Sequence, residues 1–143
     1  MVLLKQNGIS VDTLSPSNAD AWVVPEGGTA GVYVSDPGRK AELIPELRKI
    51  FSGGEGVAKV YGTEDFDEIA YPVPTASSQA PDLVLAAGPD YMFSGESEGD
   101  YATPAEGGTH GYINSDPQMR AIFVASGANI RKGVRLGNIR MLM

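Results

Sequence analysis

Apolar positions fall into a sustained helical period only once along this chain. Leu43, Ile44, Leu47, Ile50 and Phe51 recur at three- and four-residue intervals, and Arg39, Lys40, Glu42, Glu46, Arg48 and Lys49 fill the opposite side. This predicts an amphipathic helix over about 39–51, with Pro45 either kinking its first turn or marking its true start, because proline has no amide to donate. Ser52-Gly53-Gly54-Glu55-Gly56 ends it. Elsewhere the pattern is short and β-like. Ala21-Trp22-Val23-Val24 and Thr29–Val34 flank Pro25-Glu26-Gly27-Gly28, which predicts a hairpin. Val57–Tyr61 alternates as a half-buried strand, and Asp82–Gly88 reads as a buried one. Tyr91-Met92-Phe93 and Arg120–Ala125, centred on Ile122-Phe123-Val124, are the remaining predicted strands. Val2–Gln6 reads as a helical turn or two closed by Gly8, and Thr63-Glu64-Asp65-Phe66 as a helix start with Thr63 as its cap. The sum is a single α+β domain spanning residues 1–143. It has a small, mostly antiparallel sheet and one main packing helix. Ser94 to Pro117 carries almost no apolar pattern, and a segment of that length inside a compact domain is either a misread element or a functional loop.

Composition sharpens this picture in three places. Gly at 18 residues and Pro at 10 in a chain of 143 fit short elements and many turns, and argue against a helical bundle. Cysteine is absent, which excludes disulfide scaffolds, thiolate zinc sites and a cysteine nucleophile. The net charge of −7 predicts that the chain repels nucleic-acid polymers and anionic membranes, and no apolar run approaches a membrane span. Nor do the first residues have the basic start and long apolar stretch of a signal peptide. The charge is also uneven. After Asp116 there is no acid, while Arg120, Arg131, Lys132, Arg135 and Arg140 are five of the eleven cations. A basic end of this kind usually neutralises its own acidic domain, and no interleaved aromatics suggest base stacking.

Familiar sites are incomplete. Glu96, Glu98 and Asp100 have the spacing of the first ligands of a calcium loop, but Tyr101 stands where that loop requires glycine and Gly107 where it requires glutamate. The glycine clusters at 53–56 and 127–133 lack the Gly-Lys-Ser/Thr ending of a phosphate loop and read as turns. The single histidine, His110, excludes any site that needs two imidazoles from this chain. The ordinary reading of a lone loop histidine is a surface side chain. Against it stands the setting Gly107-Gly108-Thr109-His110-Gly111-Tyr112, where flanking glycines let the backbone approach something bulky, and where imidazole is the commonest metal ligand.

The run Gly108-Thr109-His110-Gly111-Tyr112, then Asp116-Pro117, then Met119-Arg120-Ala121-Ile122-Phe123-Val124-Ala125-Ser126-Gly127, resembles the C-terminal part of type I phosphodiesterase/nucleotide pyrophosphatases of the alkaline phosphatase superfamily. The likeness is closest over about 81–139. It extends more loosely to Val2-Leu3-Leu4-Lys5, which resembles the helix after that family's Asp-His-Gly metal motif. The resemblance implies that the sheet belongs to the C-terminal portion of an alkaline-phosphatase-like α/β fold. It also implies that His110 ligates one of two zinc ions, and that a phosphodiester or nucleotide is the substrate of the complete protein. In that family a threonine or serine nucleophile, the aspartates and two further histidines precede the matched region. The chain is then a C-terminal fragment that supplies one ligand and is not catalytic alone. One imidazole falls short of the roughly three protein ligands of a catalytic zinc. The alternative is a non-catalytic binding or assembly module in which His110 has no metal role. Either way, elements taken from a larger sheet leave unpaired edges and apolar faces, and self-association is expected.

Overall fold

The computed structural model describes residues 1–12, 18–75 and 79–139. Its order is α1 (Val2–Gln6), β1 (Ala21–Pro25), β2 (Thr29–Val34), α2 (Lys40–Ser52), β3 (Val57–Gly62) and β4 (Leu83–Ala87). A 3-10 helix, Thr63–Ile69, follows β3, and single 3-10 turns stand at Pro37–Arg39 and Pro117–Met119. The four strands form one antiparallel sheet in the order β1-β2-β4-β3. Since β4 is antiparallel to both of its neighbours, β2 and β3 run the same way, and α2 joins them across the inserted strand as a split β-α-β unit. The architecture is α+β, as the periodicity predicts.

The β1–β2 hairpin pairs Ala21 with Val34 and Pro25 with Ala30, so its turn is the predicted Glu26-Gly27-Gly28 cluster. Gly27 takes φ +76°, a value L-residues disfavour. Helix α2 runs through Pro45 from a start at Lys40, and buries Leu43, Leu47 and Phe51 at four-residue spacing. Ahead of it, the Asp36 carboxylate accepts the Gly38 amide at 2.8 Å. In α1 the chain turns away at Asn7 and Gly8, the latter at φ +80°, which is the helix ending expected there.

Strand parity divides the buried side chains between the two sheet faces. Ala30, Val32, Leu83, Leu85 and Val60 meet Leu4, Ile9, Leu43, Leu47 and Phe51 in the larger cluster, beneath α1 and α2. On the other face Tyr61, Val84 and Ala86 pack with Phe66 and Ile69 of the 3-10 helix, joined by Val73 and Ile113. Strand β3 therefore departs from alternation. Its last three residues are all buried, because α2 covers one side and the 3-10 helix the other, and a bulge shifts the register between Val57 and Lys59. The cap of the 3-10 helix also differs from expectation. Gly62 precedes the first turn, its amide donating to Asp65 at 3.1 Å, and Thr63 is already inside. Arg48 of α2 reaches across to Glu64 and Asp65, which fixes the helix against the sheet and lowers the Glu64 pKa through its hydrogen bond.

Asp82 is the one buried acid among the described residues. It accepts the Val34 amide at 2.9 Å and the Lys40 ammonium at 2.6 Å, tying the entry of β4 to the end of β2 and the start of α2. Asp82→Ala should lower stability by about 2–3 kcal/mol, since it leaves a buried amide unsatisfied and removes a charge-assisted bond. Asp82→Asn, which keeps an acceptor for Val34, should cost less. Urea denaturation checks both, and an unmoved midpoint for Asp82→Ala would show that the contact contributes nothing.

Two predicted strands are not formed. Tyr91-Met92-Phe93 makes only one bridge, Phe93 to Gly27, because the segment crosses the tip of the hairpin instead of lying along a strand. Arg120–Ala125 is not a strand, and every residue from Arg120 to Ile139 is exposed. Ile122, Phe123 and Val124 are 93%, 65% and 83% exposed. Three consecutive apolar residues present side chains to both sides of a strand, so they need cover on two faces, and the described part of this chain supplies neither.

Candidate functional site

The sequence-predicted site is His110, and the structure places it at the tip of the hairpin. Its carbonyl accepts the Gly28 amide at 2.8 Å, and the Gly28 carbonyl in turn accepts the amide of Ala87 at the end of β4, 2.9 Å away. The loop is thus anchored through the hairpin turn to the centre of the sheet. Close approach requires glycine on both sides. A Cβ on Gly27 would strike the His110 carbonyl and Thr109, and a Cβ on Gly111, which sits at φ +75°, would strike the Glu26 carbonyl. Of the glycines bracketing His110 in sequence, Gly111 therefore has a structural partner, while Gly107 and Gly108 face open space. The backbone is held while the side chain is not, since His110 itself is exposed.

Three tyrosines hold the rest of the long segment, each against a glycine. The Tyr112 ring lies on Gly28, the Tyr91 ring on Gly56 and the Tyr101 hydroxyl over Gly54, at places where any side chain would collide with them. Tyr112 donates to the Tyr91 carbonyl at 2.7 Å, Tyr101 to the Glu55 carbonyl at 2.7 Å, and Tyr91 to the Glu55 carboxylate at 2.9 Å. The Tyr91 pKa is raised by its hydrogen bond to Glu55, and that of Tyr101 by burial and the same carboxylate. Both hydroxyls therefore remain protonated donors through neutral pH. Further on, Asn114 donates to the Ile69 carbonyl at 2.8 Å, and Ile113 enters the cluster around Phe66. Asp116 caps the Pro117–Met119 turn through the Gln118 amide, 2.8 Å away. The apparently patternless segment is pinned at each of these points. Sequence reading misses Glu55, Tyr91, Tyr101, Tyr112 and Asn114, because no spacing links the tyrosines to glycines 35 to 84 positions away, nor Glu55 and Asn114 to their distant partners.

Glu96, Glu98 and Asp100 are exposed. They line a surface recess of about 630 Å³ together with Tyr91, Met92 and Tyr101. Among the described residues no three His, Cys, Asp or Glu side chains come together in a group able to hold a metal ion. No described residue joins His110 in such a group, so a zinc centre there needs ligands from elsewhere. The glycine clusters at 53–56 and 127–133 lie in turns, as expected. Of the C-terminal cations, Arg120, Arg131, Lys132 and Arg135 are exposed, and Arg140 lies outside the described residues. No described helix is long and apolar enough to cross a membrane.

No protein-family model matches this chain, and comparison with curated proteins and with solved structures found no match.

Proposed function

We propose that the chain is the C-terminal portion of a metal-dependent phosphodiesterase/nucleotide pyrophosphatase-like hydrolase. In this reading His110 supplies one imidazole to a zinc site completed by residues outside the chain, and the chain is not catalytic alone. The observation that supports it, beside the resemblance of residues 108–127, is the bare Ile122-Phe123-Val124 run a short distance along the chain from an anchored, exposed histidine. Such a run has the composition of an interior strand, and a larger sheet with helices on both faces would pair and cover it. The substrate class that goes with this reading is a phosphodiester or a nucleotide.

The second reading is a non-catalytic binding or assembly module. The same exposed segment favours it, because an uncovered apolar and basic stretch serves equally as an interface.

The source DNA ahead of the Met1 codon separates the two. An open frame encoding a threonine nucleophile and an Asp-His-Gly motif supports the hydrolase, and an in-frame stop codon just ahead supports the module. On the hydrolase reading the longer chain binds zinc and cleaves bis(p-nitrophenyl) phosphate, while the 143-residue chain shows only weak zinc binding and no turnover. His110→Ala in the longer chain should then lose bound zinc and at least ~100-fold in rate, the scale on which a metal ligand matters. Zinc content and hydrolysis unmoved by that substitution would sink the hydrolase reading.

A further inference from the structure

We propose that the segment Arg120–Ile139 is a self-association surface that packs onto the acidic body of a second copy of this chain. Every residue of the segment is exposed, and its large apolar side chains include Ile122, Phe123, Val124, Ile130, Leu136 and Ile139. Side chains of this kind over so long a stretch favour burial against another surface. The hollow that the segment encloses is lined by its own residues, so the body of the same copy does not fill it.

Charge identifies the occupant. Residues 117–143 carry five cations and no acid, while residues 1–116 carry six cations against eighteen acids, or +5 against −12. The body of another copy is therefore an oppositely charged partner present at the same concentration as the segment itself. It also offers a surface of matching mixed character. The recess lined by Glu96, Glu98 and Asp100 includes Tyr91 and Met92, which are 40% and 47% exposed. An apolar and basic strip thus meets an apolar and acidic one. Reciprocal exchange of two segments closes a two-fold dimer and leaves no further copy to add. This inference concerns the 143-residue chain by itself; in a longer hydrolase chain the residues that cover Ile122-Phe123-Val124 would take the place of the second copy.

The test is sedimentation velocity of the full 143-residue chain as a function of concentration and salt. We expect a concentration-dependent dimer whose dissociation constant rises at least ~10-fold between 50 and 500 mM salt, as screening weakens exposed charge pairs. Charge reversal by R131E/K132E/R135E should give a monomer with unchanged far-UV circular dichroism, since all three side chains are exposed. E96K/E98K/D100K should likewise weaken the homodimer, and mixing the two variants should restore a dimer containing one of each. A monomer at all concentrations would overturn the proposal. So would a dimer indifferent to salt and to both sets of substitutions, or a mixture of variants that fails to pair.

Discussion

Gly111→Ala should free the His110 loop while leaving the sheet and helices folded. Two costs act at once. The position sits at φ +75°, in the left-handed region that an L-residue with a Cβ enters at a penalty of about 1–2 kcal/mol. The new Cβ also lands on the Glu26 carbonyl, so the loop must lift and give up the 2.8 Å bond from the Gly28 amide to the His110 carbonyl, worth roughly 1 kcal/mol. Together these come to about 2–3 kcal/mol of local opening, or on the order of 100-fold faster proteolytic cleavage between Ser94 and Met119 where opening precedes cleavage. The single histidine makes a second readout simple, because its imidazole resonances need no assignment and should shift towards those of an unfolded peptide. Gly108→Ala is the control. No atom lies within 4 Å of its Cβ position, and the substitution should leave cleavage nearly unchanged. Equal cleavage of the two variants would mean that the hairpin tip does not hold the loop.

The contrast between those two glycines shows what the sequence could and could not reveal. Both stand in the same Gly-rich run, and nothing local distinguishes the one pressed on Glu26 from the one in open space. Features that are local in origin were legible. The stripe Leu43, Leu47, Phe51 defines α2 because the helical period repeats within the element, and the turn cluster after Pro25 defines the hairpin because its glycines are the turn. The α+β class followed from these. Features that depend on distant partners were not legible, such as the seating of Tyr112 on Gly28 or of Asn114 on the Ile69 carbonyl. The run Ile122-Phe123-Val124 shows the same limit in reverse. Its β composition is genuine, but a strand needs neighbours to pair with and cover, and composition cannot say whether the described chain provides them. His110 was legible as a candidate from its flanking glycines, and its exposure leaves the side chain open to ligands from elsewhere.

The second large effect is expected at Phe66, which is fully buried on the sheet face away from α2. Phe66→Ala should cost about 3–5 kcal/mol, through lost burial and the cavity left behind. Its neighbours give the loss a particular direction. Tyr71 meets the Phe66 ring edge-on at 5.5 Å, and Ile69, one turn on, offers its carbonyl to Asn114. Ile113 of the long segment enters the same cluster. Removing the ring therefore loosens the 3-10 helix and the returning segment together. Leu47→Ala, in the cluster beneath α2, should cost a comparable 2–5 kcal/mol but act on the body as a whole. Chemical denaturation measures both totals, and cleavage within 94–119 under native conditions separates them, with Phe66→Ala raising it more than Leu47→Ala at equal loss of stability. The double variant Phe66→Ala/Gly111→Ala tests the link itself. Once Gly111→Ala has lifted the loop, Ile113 is already displaced, so the ring has less left to lose, and the combined cost should fall short of the sum by roughly 0.5–1 kcal/mol. Strict additivity would mean that the hairpin tip and the Phe66 cluster hold the segment independently, with His110 positioned by the tip alone.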